Sequence, residues 1–323
     1  MHEMSPDPRA QAAVARFARL VLLFTVGVVL WGAFVRATGA GAGCGRHWPR
    51  CNGVVIPRSP SVETLIEFTH RATSGLALLG VAALLWLAYR HFPRRHPART
   101  GAVLSMVLML TEAGVGAGLV LLELVAGNTS PWRAAWMAAH LTNTFLLLAA
   151  IALTAWWAGG GRAVRLRGQG FAGFLAIAPL ALTLLVGMTG AITALGDTLF
   201  PKTSVGLSSG MHFLERLRIV HPLLAIATAV FAIGAASRLR VLRPGRRTER
   251  WATAASLLLG IQLAAGALNV ALLAPVGMQI IHLLLADAVW LALVLLAASA
   301  LADRAAAETV AVRPERESQP AAV

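Results

Sequence analysis

The ten residues IEFTHRATSG (66–75) open a long apolar run and bring together Glu67, His70 and Arg71. Glu67 and His70 lie three residues apart, so a helix presents carboxyl and imidazole on one face. Such a pair can hold a ligand and move a proton beside it. Three further histidines have similar settings: His140 in MAAHLTNTFLLLAAIAL, His221 in RIVHPLLA and His282 in MQIIHLLLADAVWLALVLL. Ionisable groups inside apolar spans are costly and usually mark a site. An interhelical hydrogen bond would explain any one of them, but four in matching places point to a shared ligand. Two imidazoles from different helices can face each other across a four-helix unit and bind the iron of a flat macrocycle from both sides. The pairs are then His70 with His140, and His221 with His282. Zinc is the competing ligand; it needs a third or fourth donor at the same depth, and only Glu67 and Asp287 stand near.

Arg36, Arg71, Arg216 and Arg218 crowd the same end of the spans as the histidines. A macrocycle carrying carboxylates would be gripped by guanidinium groups there; contact with lipid headgroups is the plainer alternative. The other histidines are poorer candidates: His2 is terminal, His47 is in the first loop, His91 and His96 lie in an Arg-rich loop, and His212 stands at the start of a span.

Hydrophobic residues make up 57% of the 323 positions and charged ones 13%, with a mean hydropathy of +0.70, so the elements that position these groups are read as transmembrane helices. Eight runs of about 20 residues or more fall near 17–36, 64–89, 101–122, 134–158, 171–193, 212–236, 251–273 and 279–302. They are continuously apolar, without the alternation of barrel strands. The formal net charge of +14 would suit nucleic acid, but the basic residues gather at one side of the spans, around Arg9–Arg19, Arg90–Arg99, Arg162–Arg167, Arg238–Arg250 and Arg304–Arg316. By the positive-inside rule this side is the cytoplasm, both termini are cytoplasmic, and the charge serves orientation and anionic lipid. The first span is a helix and not a cleaved signal, since seven more follow. The expected fold class is an all-α integral membrane protein.

The chain also reads as one four-helix unit written twice, a parallel repeat. Thr38-Gly39-Ala40 matches Thr189-Gly190-Ala191 at an interval of 151 residues, His70 matches His221 at the same interval, and His140 matches His282 at 142. This divides the chain into a tail (1–15), a first bundle (16–160), a cytoplasmic linker (161–170), a second bundle (171–303) and a disordered tail (304–323). The halves differ where it matters. The position matching Glu67 is Arg218, which binds anions but does not move protons at neutral pH, so chemistry is assigned to the first half and cofactor retention to the second. The first outer loop, CGRHWPRCNG, holds both cysteines of the chain, Cys44 and Cys51. On the non-cytoplasmic side they form a disulfide. Closing so short a loop contributes roughly 2–3 kcal/mol on the chain-entropy model. A structural staple and a thiol-exchange role are both open for them.

VRATGAGAGC and WPRCNG around the first loop, IEFTHR, AAHLTNTFLLL, TGAITALGD, RIVHPLLA and QIIHLLLAD together resemble the haem A synthase family, over about residues 16 to 303. The resemblance implies the oxidation of haem O to haem A at the C8 methyl group, by successive hydroxylations, for terminal cytochrome oxidase in the cell membrane. It implies that Glu67, His70 and His140 handle the substrate haem, that His221 and His282 ligate a resident haem b, and that Cys44 and Cys51 are the family's first-loop pair. Haem O, lipid, a haem O synthase, an electron donor and oxidase assembly factors are the implied partners. Many bacterial members carry a second cysteine pair in the third outer loop; this chain does not, which leaves the role of its single pair open. A dihaem b-type electron carrier is the main alternative, but it gives no reason for Glu67 and the cysteines to share one half. A transporter would show helices broken at the midplane. Small-residue faces such as GVGAG (114–118) suit packing within the chain or between copies in a homo-oligomer.

Overall fold

A computed structural model describes residues 7–200 and 213–302. The readings for His2, His212, the tail beyond 303 and the side chain of Arg216 lie outside the described residues. The order of elements is α1 (Pro8–Ala37), a short 3-10 turn (Ala40–Ala42), α2 (Val62–His91), α3 (Pro97–Leu121), α4 (Pro131–Ala158), α5 (Gly170–Leu199), α6 (Phe213–Leu242), α7 (Arg246–Ala271) and α8 (Val276–Ala300). Eight helices are long and apolar enough to cross a membrane, and no strand occurs among the described residues. The chain is a multi-pass membrane protein built of helices.

Local chemistry explains most helix ends. Asp7 accepts from the Arg9 N–H and Pro8 occupies the first turn of α1, so the helix begins inside the stretch 1–15 expected to be a tail. Ser61 caps α2, His96 caps α3 through the Ala98 N–H, and Ser130 caps α4 ahead of Pro131. Helix α1 ends where Gly39 takes a left-handed conformation at φ 73°. Helix α5 continues to Leu199, past the expected end at 193, so Thr189-Gly190-Ala191 lies within a helix whereas Thr38-Gly39-Ala40 follows one. The two TGA triplets are therefore not equivalent in space.

Helices α1 to α4 pack as a ring in which α1 touches α2 and α4, and α3 touches α2 and α4; α5 to α8 form a second ring in the same way. In neither ring do the diagonal helices make substantial contact. Each ring has its own apolar core away from the histidines. Val14, Ala18 and Val21 meet Val81 and Leu84, Ala98 and Ala102, and Leu147 and Ile151 in the first. Ala235, Leu239, Leu296 and Leu301 lie at the centre of the second. The rings join where Phe145 and Leu148 of α4 pack on Trp290 and Val294 of α8. The Trp290 indole N–H donates to the Phe145 carbonyl at 2.6 Å. Leu23, Leu79, Trp86 and Leu257 are exposed on helix surfaces that suit lipid.

Candidate functional site

Glu67 is buried in the first turns of α2, and its oxygens are engaged on two sides. Oε2 accepts the Cys44 backbone N–H at 2.7 Å, and Oε1 accepts from Arg71 Nε at 3.1 Å and from Arg71 Nη2. Arg71 also donates through Nη1 to the carbonyls of His47 and Arg50. Thr64 adds a 2.7 Å bond from Oγ1 to the Gly43 carbonyl. The acid and the guanidinium of the opening motif thus hold the loop between α1 and α2 onto α2. That loop is closed by the Cys44–Cys51 disulfide, whose cysteines are fully buried. Of the five N–H bonds of Arg71 these contacts use four. Arg218 is similarly committed: it donates to Asp197 at 2.7 Å and to the carbonyls of Gly196 and Phe200. Arg36 spans between the rings, donating to Ala194 O and Thr198 Oγ1 of α5 and to Gln279 Oε1 of α8.

The four histidines stand on α2, α4, α6 and α8, the diagonal helices of the two rings. Three of the imidazoles rest on bare backbone of the neighbouring helix. A Cβ on Gly32 would stand 2.8 Å from His70 Cε1, one on Gly190 2.9 Å from His221 Cε1, and one on Gly266 3.1 Å from His282 Cε1. Gly32 and Gly190 therefore occupy matching places beneath matching histidines, a pairing seven residues away from the one the TGA triplets suggest.

His140 has a different neighbour, which sequence reasoning missed. Glu112 of α3 places Oε1 3.3 Å from His140 Nδ1. The distance is that of a pair, although the angle falls short of a hydrogen bond and Nδ1 has no aligned partner. The same carboxyl accepts from Asn143 Nδ2 at 2.6 Å and from Thr144 Oγ1. In the second ring the polar neighbour of His282 is Gln262 of α7, whose Nε2 lies 3.3 Å from the other ring nitrogen, Nε2, while His282 Nδ1 is buried without a partner. His221 Nδ1 lies 3.1 Å from Thr189 Oγ1. The signal for Glu112 was present: an acid in the middle of an apolar span.

A flat bis-histidine ligand fits these residues. The four imidazoles stand on the diagonal helices of the two rings, the Nδ1 atoms of His70 and His282 are buried without hydrogen-bond partners, and His140 and His221 have the polar neighbours Glu112 and Thr189 at Nδ1, which leaves their Nε2 atoms for a ligand. A tetrahedral cage does not fit as well: among the described residues no three His, Cys, Asp or Glu side chains converge.

A family model described as cytochrome oxidase assembly protein, COX15-CtaA, matches residues 15–294. Two proteins named Protoheme IX farnesyltransferase, from two strains of Thermus thermophilus, are 56% and 55% identical over 298 residues, which is 90% of this chain and 49% of theirs. A Heme A synthase of Bacillus cereus strain AH187 is 43% identical over 93 residues, 29% of this chain and 30% of its own. The chain thus spans about half the length of the Thermus proteins.

Proposed function

The chain belongs to the COX15-CtaA family of cytochrome oxidase assembly proteins, and from that premise we propose that it is a haem A synthase that oxidises the C8 methyl group of haem O to a formyl group. The observation that carries this reading is the pair of diagonal histidine sites and their different acids: in the first, Glu67 lies one turn from His70 and Glu112 against His140, whereas in the second Asp197 is taken up in an ion pair with Arg218. The first bundle (16–160) takes haem O as substrate between His70 and His140. The second bundle (171–303) retains haem b between His221 and His282; when bound, that group supplies one-electron transfer. Haem A leaves as product for the terminal oxidase.

The chain's own residues divide the remaining tasks. His70 and His140 fix the plane and depth of the substrate. Arg71 offers its last free N–H to a substrate carboxylate and steadies Glu67. Glu67 would accept the proton released as each hydroxylation removes hydrogen from the methyl carbon, the two electrons passing to an external oxidant and the oxygen coming from water or dioxygen. The disulfide loop, tied down through the Cys44 N–H, keeps water from this end of the bundle. Arg218 and Asp197 occupy the corresponding end of the second bundle as an ion pair, which organises a binding site without offering a free base. The Arg-rich loops face the cytoplasm of the cell membrane.

The test is extraction of haems from membranes of a host that supplies haem O, with and without the full chain. Haem A or its hydroxylated precursor is expected only with the protein. Glu67→Gln is expected to abolish that product and leave haem b bound. Because Glu67 also anchors the outer loop, the oxidation state of Cys44 and Cys51 is measured in the same variant. Haem b as the sole haem, in folded wild-type protein supplied with haem O, would favour a dihaem electron carrier.

A further inference from the structure

We propose that Glu112 is a positioning residue for the first histidine pair, backing His140 through Nδ1 and so making the first site's iron ligand a stronger donor than its counterpart in the second ring. The proposal rests on the reading of His140 as an axial ligand. Metal-bound imidazoles commonly turn their second nitrogen to a carboxyl or carbonyl oxygen, which fixes ring orientation and strengthens the ligand.

The surroundings of Glu112 form a built acceptor. His140, Asn143 and Thr144 lie at positions i, i+3 and i+4 of α4 and face α3 together. Asn143 and Thr144 each donate to the Glu112 carboxyl. Asn143 is itself held in place, donating to the Leu108 carbonyl at 2.9 Å and accepting from Thr111 Oγ1 at 2.6 Å. The carboxyl is thereby fixed 3.3 Å from His140 Nδ1. The second ring lacks this arrangement. His282 Nδ1 is buried with no partner, Gln262 stands at Nε2 instead, and the positions i+3 and i+4 from His282 are Leu285 and Ala286. A carboxyl behind Nδ1 in one ring and an unpartnered Nδ1 in the other set the two sites to different electron affinities.

The experiment uses the full chain, solubilised from a host supplying haem b and haem O, with redox titration followed by visible absorption and paramagnetic resonance. The signal lost in His140→Ala is assigned to the first ring. Glu112→Gln keeps shape and an acceptor oxygen; it should raise that signal's midpoint potential by about 59 mV or more, a tenfold change in the one-electron equilibrium. It should also weaken haem retention roughly 10-fold to 100-fold. Glu112→Leu should move both further, with Gln intermediate. The second-ring haem, unmoved in both variants, reports that the protein has folded. An unchanged potential and resonance spectrum in both variants, with the His140-dependent haem present, overturns the proposal and leaves the functional reading standing. If His140→Ala removes no signal, both fail.

Discussion

At the scale of single residues, the absence of a side chain on the neighbouring helix decides where three of the imidazoles can lie. Gly32, Gly190 and Gly266 let His70, His221 and His282 rest against helical backbone, and an added Cβ would intrude to about van der Waals overlap. Gly32→Val should displace His70 and lower haem occupancy of the first site by about tenfold or more while the second keeps its spectrum. Gly190→Val should do the reverse, and haem content with low-spin absorption checks both. Equal losses from both sites in either variant would mean general misfolding. The histidines were legible because imidazoles at matching intervals in apolar runs are rare. The glycines were not, since small residues are common in membrane helices and only the register between helices shows which lies under a ring. The guanidinium groups were read as anion donors, whereas Arg71, Arg218 and Arg36 already bind protein acceptors.

At the scale of elements, the contact of interest is that between the disulfide loop and the start of α2. A Cβ on Gly43 would stand 2.5 Å from the backbone carbon and oxygen of Glu63 and 2.6 Å from Thr64 N, atoms that cannot move aside as a flexible side chain would. Gly43→Ala should therefore lift the loop and break the bonds from Thr64 Oγ1 to Gly43 O and from Cys44 N to Glu67 Oε2. Each loss costs about 1–3 kcal/mol where a buried group is left unpaired. The expected readout is faster reduction and thiol labelling of Cys44 and Cys51, which are fully buried when the loop is seated. Labelling at the wild-type rate would show that the loop does not depend on this fit. The disulfide itself was legible from two cysteines on one outer loop. Its attachment to Glu67 was not, because an acid one turn before a histidine is equally consistent with proton transfer and with capping a loop.

At the scale of the whole molecule, Arg36 and Trp290 make hydrogen bonds between the rings. Arg36 leaves α1 to meet three acceptors on α5 and α8, and Trp290 binds the Phe145 carbonyl beneath a stacked pair of rings 5.3 Å apart. Arg36→Met keeps length and packing but leaves Gln279 Oε1 without its Arg36 donor and removes the link to Ala194 and Thr198 of α5. It should lower stability in detergent by roughly 1–3 kcal/mol, seen as an earlier thermal transition with both haems still bound at low temperature. An unchanged transition would place the strength of the junction in the apolar contacts of Phe145, Leu148, Trp290 and Val294.

The sequence by itself determined the number of spans, their helical class and the four histidines on alternate helices. Lipid leaves a buried backbone no partner but its own helix, and an imidazole in such a run is too costly to be incidental. It did not determine helix ends such as Pro8 and Leu199, where a local cap or continued packing extends the apolar run. Only the tertiary structure decided what stands behind each histidine: glycine under three of them, Glu112 beside His140 and Gln262 beside His282. Those neighbours come from other helices, and their identity follows from the rotation and offset of one helix against the next, which spacing along a single chain does not encode.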